Sequence, residues 1–113
     1  MKQIKAIIRP EKLTDVKDAL EQVPGYTGIM VTEIMGHGNQ KGIDQTWRGE
    51  KYKLDLIPKV MLDIVVKDEY VEGIKKAILA SAPIGEIGDG KIFIYDVENV
   101  VRIRTGEEGE NAL

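Results

Sequence analysis

The 113-residue sequence contains no cysteine and only one histidine, His37. The absence of cysteine excludes disulfides and thiolate metal sites, and it fits a reducing cytosol. A lone histidine between two glycines does not support a metal site of its own. No nucleophile can be paired with a base, so an enzyme is the least favoured class of function.

The sequence also lacks long hydrophobic runs and an excess of basic charge. No run approaches the roughly 20 apolar residues of a membrane span. The N-terminal segment 1–10 is too short in its apolar part, and too interrupted by charge, for a signal peptide. The net charge of −3 and the pI near 5.2 give no basic field. We therefore expect a cytoplasmic protein without direct membrane insertion or nucleic-acid binding.

The apolar residues that are present, 42% of the chain, suffice for one core, so residues 1–113 are expected to form a single domain. Their spacing predicts four strands and two helices. Pro10 is expected to open the first helix and Asp68 to cap the second. The predicted strands are 2–8, 28–35, 60–66 and 91–97, and the predicted helices are 11–22 and 68–82.

This order predicts an α+β fold of the ferredoxin-like βαββαβ type. Two helices can cover only one face of a four-stranded sheet. The other face would expose apolar residues, among them those of the third strand, and large exposed patches usually mark an interface. We therefore expect a closed homo-oligomer.

Residues 36–58 form the most unusual stretch of the sequence. They contain four glycines and a band of charge, with no helical or strand periodicity of their own. Connections of this length inside a compact domain are usually functional or disordered. Trp47, Arg48 and Tyr52 are residue types enriched in interfaces, which favours a mobile recognition loop.

A second unusual stretch runs from Gly85 to Lys91. Its spacing matches the phosphate-binding pattern G-x-x-x-x-G-K-[ST] except at Ile92. However, a P-loop joins a strand to a helix, whereas this run follows a predicted helix and enters a predicted strand. Two interpretations stay open: glycine amides that approach an anion, or a helix C-cap followed by a turn.

Arg102 and Arg104 lie in a short segment, 100–104, that we expect to be extended, so that both side chains share one face. Two guanidinium groups on one face favour an anion such as phosphate above them. The alternative is surface ion pairs with Glu98, Glu107 or Glu108. The tail 105–113 is polar and acidic and is expected to be frayed.

Together these residues resemble the PII nitrogen-regulatory signal proteins over essentially the whole chain. Ala6-Ile7-Ile8-Arg9-Pro10 and Val31-Thr32-Glu33 match the family near the start of the chain. The motifs in the order and spacing of that family are Gly36-x-Gly38, Gln40-Lys41-Gly42, Arg48-Gly49-x-x-Tyr52, Leu56-Ile57-Pro58-Lys59, Ile87-Gly88-Asp89-Gly90-Lys91-Ile92-Phe93 and Arg102-Ile103-Arg104-Thr105-Gly106-Glu107.

The resemblance implies a homotrimer that binds ATP or ADP between subunits, with 2-oxoglutarate held beside Mg²⁺-ATP. It also implies that the long loop docks on an ammonium channel or another membrane transporter, or on a nitrogen-metabolism enzyme. A channel partner would recruit the protein to the membrane. By the same resemblance, the nucleotide-binding residues are Gly36, Gly38, Asn39, Gln40, Asp63, Val65, Gly88, Asp89, Gly90, Lys91, Arg102 and Arg104, the two arginines coming from the neighbouring subunit.

The remaining roles are also implied by the resemblance. Gln40 would ligate the metal, and Gln40, Lys41, Gly42 and Lys59 would bind 2-oxoglutarate. Arg48 would enter the mouth of a channel, and Tyr52 would be a site of nucleotidylylation.

The sequence departs from the family pattern beside the phosphates. Asn39 replaces an arginine that reaches the terminal phosphate, and Glu86 replaces a lysine. Loss of one charged hydrogen bond costs about 1.5–3 kcal/mol, or one to two decades of preference for ATP over ADP. Two other functions therefore stay open. One is a divergent PII-like sensor of adenine nucleotides that ignores 2-oxoglutarate and regulates another transporter, and the other is a small nucleotide-hydrolysing enzyme.

Overall fold

The computed structural model describes residues 1–37, 43–47, 50–54 and 56–113, and for 43–47 and 50–54 it describes the backbone only. The chain runs in the order β1, α1, β2, β3, β4, β5, α2, β6. The strands are β1 Lys2–Ile8, β2 Met30–Gly36, β3 Ile43–Trp47, β4 Glu50–Leu54, β5 Ile57–Val66 and β6 Ile92–Asp96. The helices are α1 Leu13–Glu21 and α2 Val71–Ser81, with 3-10 turns at Pro10–Lys12, Asp68–Tyr70 and Gly109–Ala112.

Four strands form one antiparallel sheet in the order β2-β5-β1-β6. The third predicted strand, β5, lies inside the sheet between β2 and β1. The α+β ferredoxin-like fold predicted from the sequence is confirmed.

The core lies between the two helices and one face of this sheet. Strand residues that alternate with period two, such as Ile4, Leu62 and Ile64, pack against Leu20 of α1 and Ile74 of α2. Each of these side chains is at most 2% exposed. Burial of five such side chains, at about 1.5–3 kcal/mol each, dominates the stability of the sandwich.

The opposite side of the sheet, here called the open face, carries Gln3, Lys5, Ile7, Met30, Met61, Asp63, Val65, Phe93 and Tyr95, as the strand register requires. Met30, Phe93 and Tyr95 are 65%, 41% and 46% exposed. The helices thus cover only one face, as expected. These exposed apolar residues lie together on one uncovered surface.

Three local predictions were wrong in their details. Asp68 does not cap α2, because its carboxylate pairs with the N-terminal amine of Met1 at 2.8 Å. The predicted strand at 28–35 begins two residues later, since Gly28 has a φ of +105°, which a strand does not accommodate. Strand β5 begins at Ile57 rather than at residue 60, because residues 57–59 still pair with β2.

The prediction that residues 36–58 lack regular secondary structure was also wrong. Its middle contains β3 and β4, which pair antiparallel from Ile43–Leu54 to Trp47–Glu50. Its two ends belong to β2 and β5. Residues 43–47 and 50–54 show little of the hydrophobic alternation on which strand prediction depends.

The C-terminal segment differs from its prediction as well. Residues 100–104 are not a strand: a single bridge joins Val101 to Glu108, and the chain turns at 103–105. The tail is folded rather than frayed, since Gly109–Ala112 form a 3-10 turn and Ala112 is buried. The backbone N–H of Arg102 donates to Glu107 O at 2.8 Å, which closes this turn.

Candidate functional site

The glycine run 84–91 connects α2 to β6 and lies against the end of β1. It follows a helix and enters a strand, as predicted, so it is not a P-loop. A Cβ atom at Gly90 would overlap the carbonyl oxygen of Ile7, so only glycine fits there. Gly85 and Gly88 have φ values of +88° and +110°, which L-residues rarely adopt. The sequence therefore specifies this backbone path through its glycines.

Asp89 organises the run through its carboxylate. The backbone N–H groups of Ile84 and Gly85 donate to Asp89 Oδ2 at 3.1 and 2.9 Å, and Arg9 Nε donates to Oδ1 at 2.9 Å. The hydrogen bond from Arg9, helped by these backbone donors, lowers the pKa of Asp89 to about 2. The Asp89 side chain is therefore ionised and fully engaged in shaping the run.

Lys59, from the start of β5, reaches the same run. Its Nζ donates to the carbonyl oxygen of Gly88 at 2.6 Å, and the side chain is buried. Burial lowers the pKa of Lys59, and the nearby charge of Arg9 lowers it further. An anion placed here would stabilise the charged ammonium.

These groups border a cleft of about 600 Å³. Six of the residues assigned to ligand binding by resemblance meet in it: Gly36, Lys59, Gly88, Asp89, Gly90 and Lys91. Among the described residues, no hydrogen bond engages the backbone N–H of Gly88 or Gly90, and no ion pair engages the exposed Lys91. Two available amides and an ammonium at a glycine-lined wall are the groups that bind phosphate oxygens.

Four other predicted residues lie outside this cleft. Asp63 and Val65 lie further along the open face of β5, where Gln3 Nε2 donates to Asp63 Oδ1 at 2.8 Å. Arg102 and Arg104 lie in the C-terminal turn, and neither borders the cleft of its own chain.

The two arginines do not share a strand face, because the segment that carries them is a turn. Arg102 Nη1 pairs with Glu107 at 3.3 Å, and its Nη2 donates to the carbonyls of Asn111 and Leu113 at 3.4 and 3.3 Å. The ion pair with Glu107 is one of the surface pairings left open by the sequence. Arg104 is exposed and has no such partner in the described parts of the chain.

Several predicted sites lie outside the described residues: Gly38, Asn39, Gln40, Lys41, Gly42 and Arg48. Tyr52 lies in β4 opposite Gln45, and the backbone alone is described there. Within residues 1–37 and 56–113, no group of three His, Asp or Glu residues could hold a metal ion. No helix in the described chain is both long and apolar enough to cross a membrane.

Sequence reasoning assigned no role to Arg9, although this residue holds the glycine run. Arg9 is 9% exposed and follows β1 directly, and its partners are 78 and 80 residues away in the sequence. A charged residue at the end of a buried strand is the only local signal that could have pointed to it.

Comparison with known proteins places the chain among its relatives. The family model "Nitrogen regulatory protein P-II" matches residues 1–107. The chain belongs to the P-II family. It is 55% identical over 113 residues to the nitrogen regulatory protein P-II of Pasteurella multocida, with complete coverage of both chains. It is also 55% identical to nitrogen regulatory protein P-II 2 of Methanothermobacter thermautotrophicus, covering 97% of that protein, and 51% identical over full length to P-II 1 of Escherichia coli K12.

The resemblance stated from the motifs is thereby confirmed. P-II proteins are regulatory signal proteins that act on partner proteins, and this chain is accordingly a signal-transduction regulator of nitrogen metabolism. The cleft beside the glycine run is its candidate ligand site.

Proposed function

We propose that this P-II protein senses ATP or ADP together with 2-oxoglutarate, and that the occupied ligand site controls how segment 36–58 docks on a target. The observation that carries the proposal is the convergence of the Gly88 and Gly90 amides, Lys91 and Lys59 on one cleft. The nucleotide is taken from the resemblance to P-II proteins. The cleft contributes groups that suit its phosphates.

The residues of the cleft fit a polyphosphate. The volume of about 600 Å³ falls within the usual range of small-molecule sites. The absence of a side chain at Gly88 lets the backbone approach a ligand closely. Lys91 supplies positive charge at the open edge of the same wall, while Glu86 supplies an opposing negative charge.

A carboxylate ligand suits Lys59. Its ammonium is partly desolvated, and its lowered pKa reflects that cost. A carboxylate of 2-oxoglutarate beside Nζ would offset the desolvation and restore the pKa. We assign Gln40, Lys41 and Gly42 to the same ligand by resemblance alone, since they lie outside the described residues.

Mg²⁺, when bound with ATP and 2-oxoglutarate, would neutralise charge between the phosphates and the oxo acid, with Gln40 as its protein ligand. Gln40 lies outside the described residues. The protein's own contribution would then be to hold the phosphates on the Gly88–Lys91 wall and a carboxylate on Lys59.

We further propose that the working unit is a homotrimer. The exposed apolar residues of the open face support association, because a partner would remove them from water. Arg102 and Arg104 do not border their own cleft, and in the proposed trimer they would contact the nucleotide of a neighbouring subunit. Asp63 and Val65, on the open face, would meet the same ligand across the interface.

Segment 36–58 is proposed to carry the output. Its β3–β4 hairpin joins β2 to β5, and Gly36 and Ile57 at its base border the cleft. If the base of the segment has two conformations, a ligand that binds one of them more tightly raises the population of that conformation. The size of the shift is set by the difference in affinity. The proposed targets are an ammonium channel, another transporter or a nitrogen-metabolism enzyme, with Arg48 as docking residue and Tyr52 as modification site.

One observation favours the alternative of a sensor that ignores 2-oxoglutarate. Lys59 Nζ already donates to Gly88 O at 2.6 Å, so a carboxylate must compete with or share this contact. Calorimetric titration separates the two functions. If Mg²⁺-ATP and 2-oxoglutarate each raise the affinity for the other, the sensor of both ligands is supported. ATP affinity that is unchanged by 2-oxoglutarate supports the sensor that ignores 2-oxoglutarate.

The nucleotide proposal is tested with Lys91→Ala, using isothermal titration with ATP and ADP. We expect affinity to fall by about one to two decades, since a charged hydrogen bond to phosphate is lost. Lys17→Ala, on the exposed surface of α1, is the matched control and should bind as the parent protein does. Absence of ATP or ADP binding by the parent protein at millimolar nucleotide removes the proposal.

A further inference from the structure

The buried side chain of Arg9 makes two hydrogen bonds to the glycine run. Arg9 Nε donates to Asp89 Oδ1 at 2.9 Å, while its Nη2 donates to the carbonyl oxygen of Ile87 at 3.1 Å. The guanidinium fork thus contacts a side chain and a main-chain carbonyl two residues apart in the run. A lysine ammonium has no such fixed fork.

Asp89 links Arg9 to the first residues of the run. Its two oxygens accept the N–H groups of Ile84 and Gly85 as well as Arg9 Nε. Arg9 is anchored at the end of β1, one residue after the buried Ile8. The segment 84–89 is therefore fastened to the rigid sheet before any ligand arrives.

The charge of Asp89 is the second observation. A carboxylate that borders a phosphate site repels the phosphate, so its electrostatic effect on nucleotide affinity is unfavourable. The presence of Asp89 beside the phosphates is explained if Asp89 aids binding indirectly. Together with Arg9, it would fix the backbone conformation of the run. Preorganisation raises affinity because the ordering entropy is lost on folding and not on binding.

We propose that Arg9 is a positioning residue of the nucleotide site, and that the Arg9–Asp89 pair, here called the latch, holds the Gly88 and Gly90 amides in their binding arrangement. The latch acts on the ligand only through the backbone of the run. This inference rests on the proposed nucleotide function.

The first measurement uses the nucleotide-free protein. Hydrogen exchange of the Ile84 and Gly85 amides is compared between the parent and Asp89→Asn. Asparagine keeps the size of the side chain but loses the charge and one acceptor oxygen. We expect these two amides to exchange at least tenfold faster in the variant, with unchanged protection of β1 and β5.

The second measurement is the affinity of the same variant for ATP. Removing a negative charge beside phosphates would tighten binding if charge alone mattered. The latch predicts the opposite sign, a loss of about tenfold. Asp89→Asn that binds ATP as tightly as the parent, or more tightly, overturns the proposal. Weaker binding with unchanged exchange also overturns it, because Asp89 would then act on the ligand directly.

Arg9→Lys provides an independent variant if Asp89→Asn does not fold. It keeps the positive charge and loses the fork, so we expect faster exchange at 84–85 and weaker ATP binding. The double variant should bind ATP no more weakly than the weaker single variant, since the same latch is broken in each. If the loss of ATP affinity in the double variant equals the product of the two single fold-losses, Arg9 and Asp89 do not act through one latch. Asp18→Asn removes the same charge from the exposed surface of α1 and should leave both readouts unchanged.

The outcomes separate the two proposals. If the parent protein binds no adenine nucleotide, the proposed function fails, while the exchange measurement still reports whether Arg9 and Asp89 hold the run. If the parent binds ATP and Asp89→Asn binds it equally well, the latch fails and the proposed function stands.

Discussion

At the scale of single residues, the candidate site depends on a few positions where one side chain, or none, is acceptable. Gly90 has no room for a Cβ beside Ile7. Asp89 needs its charge to accept three donors, and Arg9 needs its fork to reach two acceptors. The glycines and Lys91 were recognisable from the motif in the sequence. The importance of Arg9 depends on contacts across 80 residues of sequence, which no local pattern records.

Gly90→Ala should destabilise the protein by about 1–3 kcal/mol, because the added methyl group overlaps a main-chain carbonyl of β1 that cannot move freely. Thermal unfolding followed by circular dichroism measures the change. Gly36→Ala is the matched control, since its Cβ would meet Lys59 Cγ at an ordinary 3.4 Å. Equal unfolding midpoints for the two variants would contradict the close approach at Gly90.

The Arg9–Asp89 pair should persist over a wide range of pH. Asp89 has a pKa of about 2 in the fold, against about 3.9 for aspartate in an unfolded chain. A lowered pKa contributes stability that is complete above about pH 4 and is lost as the pH falls towards 2. Carbon-13 NMR of the Asp89 carboxyl should give a midpoint near 2. A midpoint near 4 would show that the hydrogen bonds to this carboxylate are absent in solution.

At the scale of elements, hydrophobic spacing predicted the sheet strands and helices well, and it failed where stability comes from polar contacts. Helix α2 and strands β1 and β6 came within one to three residues of their predicted limits. The C-terminal segment was misread, because Arg102, Asn99 and Glu107 fold it through hydrogen bonds that leave no periodic pattern. The β3–β4 hairpin was missed because its sequence shows little hydrophobic alternation.

Arg102→Ala should loosen the C-terminal element. The substitution removes the ion pair to Glu107 and the donors to the carbonyls of Asn111 and Leu113, so we expect faster amide exchange over 106–113. The loss in global stability should be about 1 kcal/mol at most, as for other partly exposed ion pairs. Arg104→Ala removes the same charge two residues further along the chain and should leave this exchange unchanged. Identical exchange in both variants would remove the structural role assigned to Arg102.

At the scale of the whole molecule, the two helices cover one sheet face and leave the other uncovered. The open face combines apolar residues with internally paired polar ones, such as Gln3 with Asp63 and Lys5 above the ring of Tyr95 at 5.7 Å. Paired polar groups lose little when they are buried further. This composition fits an interface, and the proposed trimer would also bring arginines to the cleft of a neighbour.

Tyr95→Asp should dissociate the proposed trimer, because it replaces a half-exposed aromatic ring of the open face, on edge strand β6, with a charge. Light scattering during size-exclusion chromatography at micromolar concentration measures the mass. Leu79→Asp is the matched control: Leu79 is 57% exposed and belongs to α2, away from the open face. A monomeric parent protein, or a trimer that tolerates Tyr95→Asp, would contradict the assignment of this face.

The sequence by itself determined the order of the elements of the sandwich and the family. These features follow from local spacing and from a set of motifs that covers the whole chain. Tertiary structure alone decided that Arg9 fastens the glycine run and that Lys59 meets Gly88. It also decided that Arg102 folds back on the tail while Arg104 remains exposed. The reason is physical. The spacing of apolar residues predicts which side chains are buried, whereas the partner of a charge depends on which distant segments the fold brings within about 3 Å of it.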